Sequence, residues 1–132
     1  MNLKTSQRPL GDSPERYERL FAMLLDAIPS SVLLIDRDMR IVSTNRNFLE
    51  KSRRSISNTI GCRLEEVFPS IILSQMDIIG RIRQVFEMNQ PTRGDRMNYR
   101  APNVPMRIYY YSILPFSWQG VVELAMLLMD DV

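Results

Sequence analysis

The chain is expected to fold as an α+β domain in which a five-stranded antiparallel sheet carries helices on one face, preceded by an amphipathic helix. Three observations predict this. Ala27 to Asn45, AIPSSVLLIDRDMRIVSTN, packs a strand, a charged turn, a second strand and a helix-capping Asn into one short stretch. The middle of the chain has helical periodicity, and from Thr92 three extended segments follow one another with short polar or Pro/Gly connectors. Two strands, a helical block and a three-strand meander add up to one antiparallel sheet.

Residues 1–13 read as a flexible lead, polar and carrying Pro9 and Gly11. Ser13-Pro14 then supplies a cap residue followed by Pro at the first helical position, so a helix is expected over 14–28, with Pro29 stopping it. Tyr17, Leu20, Phe21, Leu24 and Ile28 recur at three- and four-residue steps, while Glu15, Arg16, Glu18 and Arg19 take the opposite side. This apolar stripe either covers the chain's own sheet or meets the same stripe of a second copy. The remainder, 29–132, reads as one domain.

Val32 to Ile35 and Arg40 to Val42 are the strands of a hairpin joined by Asp36-Arg37-Asp38. Asn45 stands just before Arg46-Asn47-Phe48-Leu49-Glu50-Lys51, where its side-chain oxygen can accept an N–H of the first helical turn, a cap worth ~1 kcal/mol. Between Arg53 and Pro69 the residues Ser55, Ser57, Asn58 and Gly61 interrupt any long pattern, so short turns are expected. Ile71 to Met88 predicts one long central helix with Ile72, Met76, Ile79, Ile82 or Arg83, and Phe86 on one face, ended by Asn89-Gln90-Pro91. Strands follow over Thr92–Arg100, Met106–Leu114 and Val121–Met129, with Pro115 to Gly120 as the last connector. In the final strand Leu124, Met126 and Leu128 face one side and Ala125, Leu127 and Met129 the other. Both faces are apolar and both need a cover.

Composition sets bounds. With 132 residues, 45% hydrophobic and 24% charged, the chain can build one core. No apolar run approaches the ~20 residues of a membrane span and no apolar block opens the chain, so a cytoplasmic location is expected. A net charge of +2 with dispersed arginines gives no nucleic-acid footprint, and Lys51-Ser52-Arg53-Arg54 reads as a solvated loop or a patch for an acidic partner. One cysteine, Cys62, excludes an internal disulfide and a Cys-rich zinc site. Without histidine there is no Ser/His or Cys/His nucleophile pair, and no Gly-rich phosphate loop follows a strand. Asp36, Asp38, Glu65 and Glu66 fit turn and helix-start roles, and Asp130-Asp131 falls short of the oxygens calcium requires. No catalytic residue and no metal site are assigned.

At these residues the chain resembles a PAS domain, the sensor module of bacterial histidine kinases, diguanylate cyclases and transcriptional regulators. The matching pieces are AIPSSVLLIDRDMRIVSTN, the Ile60 to Pro69 segment IGCRLEEVFP, and the closing GVVELAMLLMDDV. Asp131 and Val132 match the first two positions of the family's Asp-x-Thr exit, which leads toward an output domain. The resemblance thus implies a cut-out of a larger protein, with Asp131 as the signal exit and a sensor histidine kinase as the downstream effector.

Family members carry haem, flavin, another chromophore, a small metabolite or nothing, so the cofactor stays open. The absence of His rules out a haem on an axial histidine. Gly61-Cys62-Arg63 departs from the Gly-x-Asn-Cys-Arg of the flavin–cysteine photoreceptors, and Cys62 reads as a buried structural thiol. The resemblance further implies a pocket between sheet and helices for a small apolar or amphipathic ligand, with Phe48, Val67, Ile72, Met76, Ile79, Tyr109, Tyr111, Leu124 and Met126 as candidate lining residues. The same residues could simply fill a core. Two functions remain: a ligand-responsive homodimeric sensor whose N-terminal stripe forms the dimer interface, or a ligand-free constitutive interaction domain.

Overall fold

Residues 14–101 and 104–131 are described by a computed structural model of the chain. In chain order α1 (Pro14–Ala27) leads into β1 (Ser31–Ile35), β2 (Ile41–Thr44) and α2 (Arg46–Ser52). A 3-10 turn (Ile56–Asn58), α3 (Leu64–Val67), α4 (Ser70–Met76) and α5 (Ile78–Met88) make up the helical middle, and β3 (Thr92–Ala101), β4 (Val104–Trp118) and β5 (Val121–Asp131) close the chain. The strands form one sheet in the order β2-β1-β5-β4-β3, antiparallel at every junction. The last strand is therefore the central one, flanked by the first strand and its own hairpin partner. Ser13, the expected cap of α1, lies outside the described residues.

Local chemistry accounts for the opening hairpin. The Asp36 carboxylate accepts the backbone N–H groups of Asp38 (2.9 Å) and Arg40 (3.0 Å), which holds the turn closed. Met39 adopts φ 63, a left-handed conformation costly for a residue with a Cβ, and its side chain is buried in the core, so packing offsets the strain. The chain then returns along the free side of β2. Gly61 N–H donates to Ile41 O (2.7 Å), Ile41 N–H to Cys62 O (2.9 Å) and Leu64 N–H to Met39 O (3.0 Å), so the IGCRLEEVFP segment covers part of an edge that would otherwise be open.

Two expected elements are different in the structure. The helix expected over 71–88 is two helices, broken at Asp77 in the left-handed conformation (φ 49, ψ 45). A Cβ at Gly80 would stand 2.5 Å from Asp77 Oδ2, so the carboxylate occupies the space that glycine leaves open. The break rotates α5, which buries Ile78, Ile82, Val85 and Phe86, with Ile79 at the margin of the core. In addition, β4 continues through Pro115 to Trp118 and turns back at Gln119-Gly120, both with positive φ, as a two-residue hairpin requires. Pro115 is tolerated because β3 begins, with Thr92, opposite Ile113, so beyond that point β4 pairs only with β5 and a missing N–H interrupts no second ladder.

The core lies between the sheet and the helices. Leu33, Ile35, Ile41, Tyr111, Ile113, Ala125, Leu127 and Met129 of the strands meet Phe48, Leu64, Val67, Phe68, Ile72, Leu73 and the buried face of α5 in one contiguous cluster.

Candidate functional site

Asn45 is the residue around which the N-terminal helix, the sheet and α2 meet. Its side-chain oxygen accepts the N–H of Phe48 (3.2 Å), capping α2 as expected, and also that of Val32 in β1 (3.1 Å). Its amide group donates to Leu25 O of α1 (2.9 Å) and to Ser30 O of the linker (2.8 Å). Asn45 is only 1% exposed, so these bonds are shielded from water and each partner would be costly to leave unpaired. A helix cap was legible in the sequence. Its second role, clamping the end of α1 to β1, depends on groups as far back as Leu25 and has no local signal.

Neighbouring groups reinforce this junction. Asp26 accepts the N–H of Arg46 (2.8 Å) and lies 3.8 Å from its guanidinium, Asn47 donates to Pro29 O (3.0 Å), and Ser31 donates to Asn47 Oδ1 (2.6 Å). The Ser30 hydroxyl donates to the Asp130 carboxylate at the end of β5. The exit from α1 and the C-terminal end of the sheet are thus adjacent, and one hydrogen bond joins them.

Beyond its last turn α1 has few neighbours. Leu25 is its one buried residue among those described, whereas Phe21 and Leu24 are 47% and 55% exposed and Tyr17 is also open. Leu20 and Ile28 are half-buried. The outer side of the sheet, opposite the core, is apolar too. Leu34, Leu114, Pro115, Phe116, Leu124 and Met126 line a groove of about 450 Å³ that Phe21 borders from α1. The helix covers only one end of this face, and Phe116 remains 50% exposed.

The candidate ligand-pocket residues separate by strand register. Phe48, Val67, Ile72 and Tyr111 lie in the core cluster, and Ile79 packs against it. Leu124 and Met126 do not join them and are corrected here: Met126 pairs with Leu34 and Leu114, all three line the outer groove, and the period of two puts both residues opposite Ala125 and Leu127. The side chains of Met76, Tyr109 and Asp131 lie outside the described residues. Cys62 is half-buried against the core, its thiol 3.5 Å from Asn58 O. Among the described residues no cluster of three or more acidic or thiol side chains could hold a metal ion, and no helix is long and apolar enough to cross a membrane.

A family model described as the PAS fold matches residues 25–132. No curated protein matches the sequence. Among solved structures, a PAS domain from Colwellia psychrerythraea superposes with a TM-score of 0.70 at 12% identity, covering 88% of this chain and 97% of the other. The PAS domain of Bordetella pertussis BvgS gives 0.70 at 14% identity, over 89% and 87%. A sensory box sensor histidine kinase from Vibrio cholerae gives 0.59 at 18% identity, over 89% and 93%. At such identities the superpositions speak for the fold alone.

Proposed function

The chain belongs to the PAS fold family, and from that premise we propose that it is the signal-sensing and dimerisation module of a larger bacterial signalling protein, with a sensor histidine kinase as its output and no catalytic step of its own. The observation that carries this reading is α1: clamped to the sheet through Asn45 at its last turn, it leaves Tyr17, Phe21 and Leu24 open beside an apolar outer sheet face. An amphipathic helix without a cover for its apolar side gains by packing on the same helix of a second copy, at roughly 25 cal/mol for each Å² of apolar surface removed from water. Glu15, Arg16, Glu18 and Arg19 remain for the solvent side of such a pair.

The signal route follows from connectivity. A change in the helix-side core shifts β5, whose end is bonded to Ser30 of the α1 linker and continues through Asp131 toward the output. Such a shift biases output only to the extent that the signal binds one arrangement better than the other. Sedimentation of Leu20→Asp and Phe21→Asp tests the dimer: both are expected to run as monomers where the parent runs as a dimer, and an unchanged oligomeric state rejects the interface.

The second reading, a constitutive dimerisation domain, is supported by the burial of Phe48, Val67, Ile72 and Tyr111 in one continuous cluster. Native mass spectrometry of freshly purified protein separates the two. A dimer with a discrete extra mass favours a sensor that holds a small apolar ligand, and a clean apo dimer favours the constitutive module.

A further inference from the structure

At the end of the molecule that carries the β1–β2 turn, three arginines line one concavity of about 230 Å³. Arg37 comes from the turn, Arg63 from the segment before α3 and Arg83 from α5, with Met39 and Ile79 also in the wall. Among the described residues none of the three has a carboxylate within ion-pair distance, although Asp38 and Glu65 line the same rim. Three arginines against two carboxylates leave the lining net positive, and an anion placed there offsets that charge.

The arrangement is held by contacts other than salt bridges. The Arg37 guanidinium stands 5.3 Å from the centre of the Phe86 ring, on the helix that also carries Arg83. Arg63 is positioned through its backbone: its N–H donates to Glu66 Oε1 (2.8 Å), Leu64 N–H donates to Met39 O, and residues 40 and 63 form an isolated bridge. Glu66 is therefore engaged as a cap and is turned to its own helix. Such backbone ties reduce the ordering that a ligand must impose.

We propose that this concavity is a binding site for a small, multiply charged oxyanion of the phosphate class, held by Arg37, Arg63 and Arg83. The assignment is to the free anion and not to a headgroup on an anionic membrane, because a concavity of about 230 Å³ takes one small anion while the Asp38 and Glu65 carboxylates beside it repel an extended negative surface. The site shares no residue with the α1 face, so it stands or falls independently of the dimer.

The test is a titration of the chain with inorganic phosphate, followed by amide NMR shifts, with chloride at matched ionic strength as reference. Saturable shifts confined to residues near 37–39, 63–65 and 79–83 are expected with phosphate and not with chloride. Arg63→Gln combined with Arg83→Gln should weaken binding at least ~10-fold, whereas Arg19→Gln on α1, which removes charge elsewhere, should leave it unchanged. All three arginines are exposed, so the variants are expected to fold, and well-dispersed spectra are the check. Shifts that scatter over the surface, fail to saturate, or persist in the double variant overturn the proposal. Retention of the chain on phosphatidate vesicles, lost in the same double variant, overturns the assignment to a free anion.

Discussion

On the helix side of the sheet, Ile113 and Ala125 are sealed at 0% exposure, while on the opposite side Leu114 and Phe116 of the same hairpin remain 39% and 50% exposed. The same strands supply both faces, and both are apolar. They differ because the described helices cover one face only: α2, α3, α4 and α5 all pack on the inner side, and α1 borders the outer groove through Phe21. Apolar composition creates a demand for burial, and the number and direction of the connected helices decides which demand the chain meets itself.

Four measurements test this contrast. The largest effect belongs to the inner face. Ile82→Ala, at a fully buried position, is expected to cost about 2–5 kcal/mol in urea denaturation, and a cost below ~1 kcal/mol would mean that the inner face is loosely filled. Asn45→Ala comes next. It removes a cap and leaves buried backbone groups of Val32, Leu25 and Ser30 without their partner, for an expected loss of ~2–4 kcal/mol. Hydrogen exchange over 14–27 should rise with it. Unchanged exchange there would show that α1 is held by something other than this side chain.

The outer face should respond in another way. Leu114→Ser with Phe116→Ser is expected to change the stability of the monomer by under ~1 kcal/mol while weakening self-association at least ~10-fold, read by sedimentation. If this pair costs as much stability as Ile82→Ala, the distinction between the faces collapses. The smallest effect is that of Arg46→Gln, which removes an exposed ion pair with Asp26. Its cost should stay within ~0–1 kcal/mol and shrink as salt is added.

The parts of the fold that were legible in the sequence are those fixed by neighbours in the chain. The Asp36 turn, the Asn45 cap and the alternation of Leu124 to Met129 all act within a few residues, and they stand in the structure where local chemistry puts them. The helix over 71–88 was misread because its apolar spacing runs through Asp77 without interruption, and only the carboxylate seated over Gly80 marks the break. The candidate ligand pocket failed at Leu124 and Met126 for a related reason. Alternation separates two faces and gives no indication of which one the helices occupy.

The class of fold, the family resemblance, the amphipathic helix and the absence of histidine chemistry can be read from the chain, because they follow from residue types, periods and short motifs. The tertiary structure alone decided that β5 sits at the centre of the sheet, that Asn45 joins Leu25 to Val32, that Ser30 meets Asp130, and that Arg37, Arg63 and Arg83 share one concavity. Each of these brings together groups far apart in the chain. Their proximity comes from closing the whole sheet over one core, where the burial of apolar surface fixes which distant residues become neighbours.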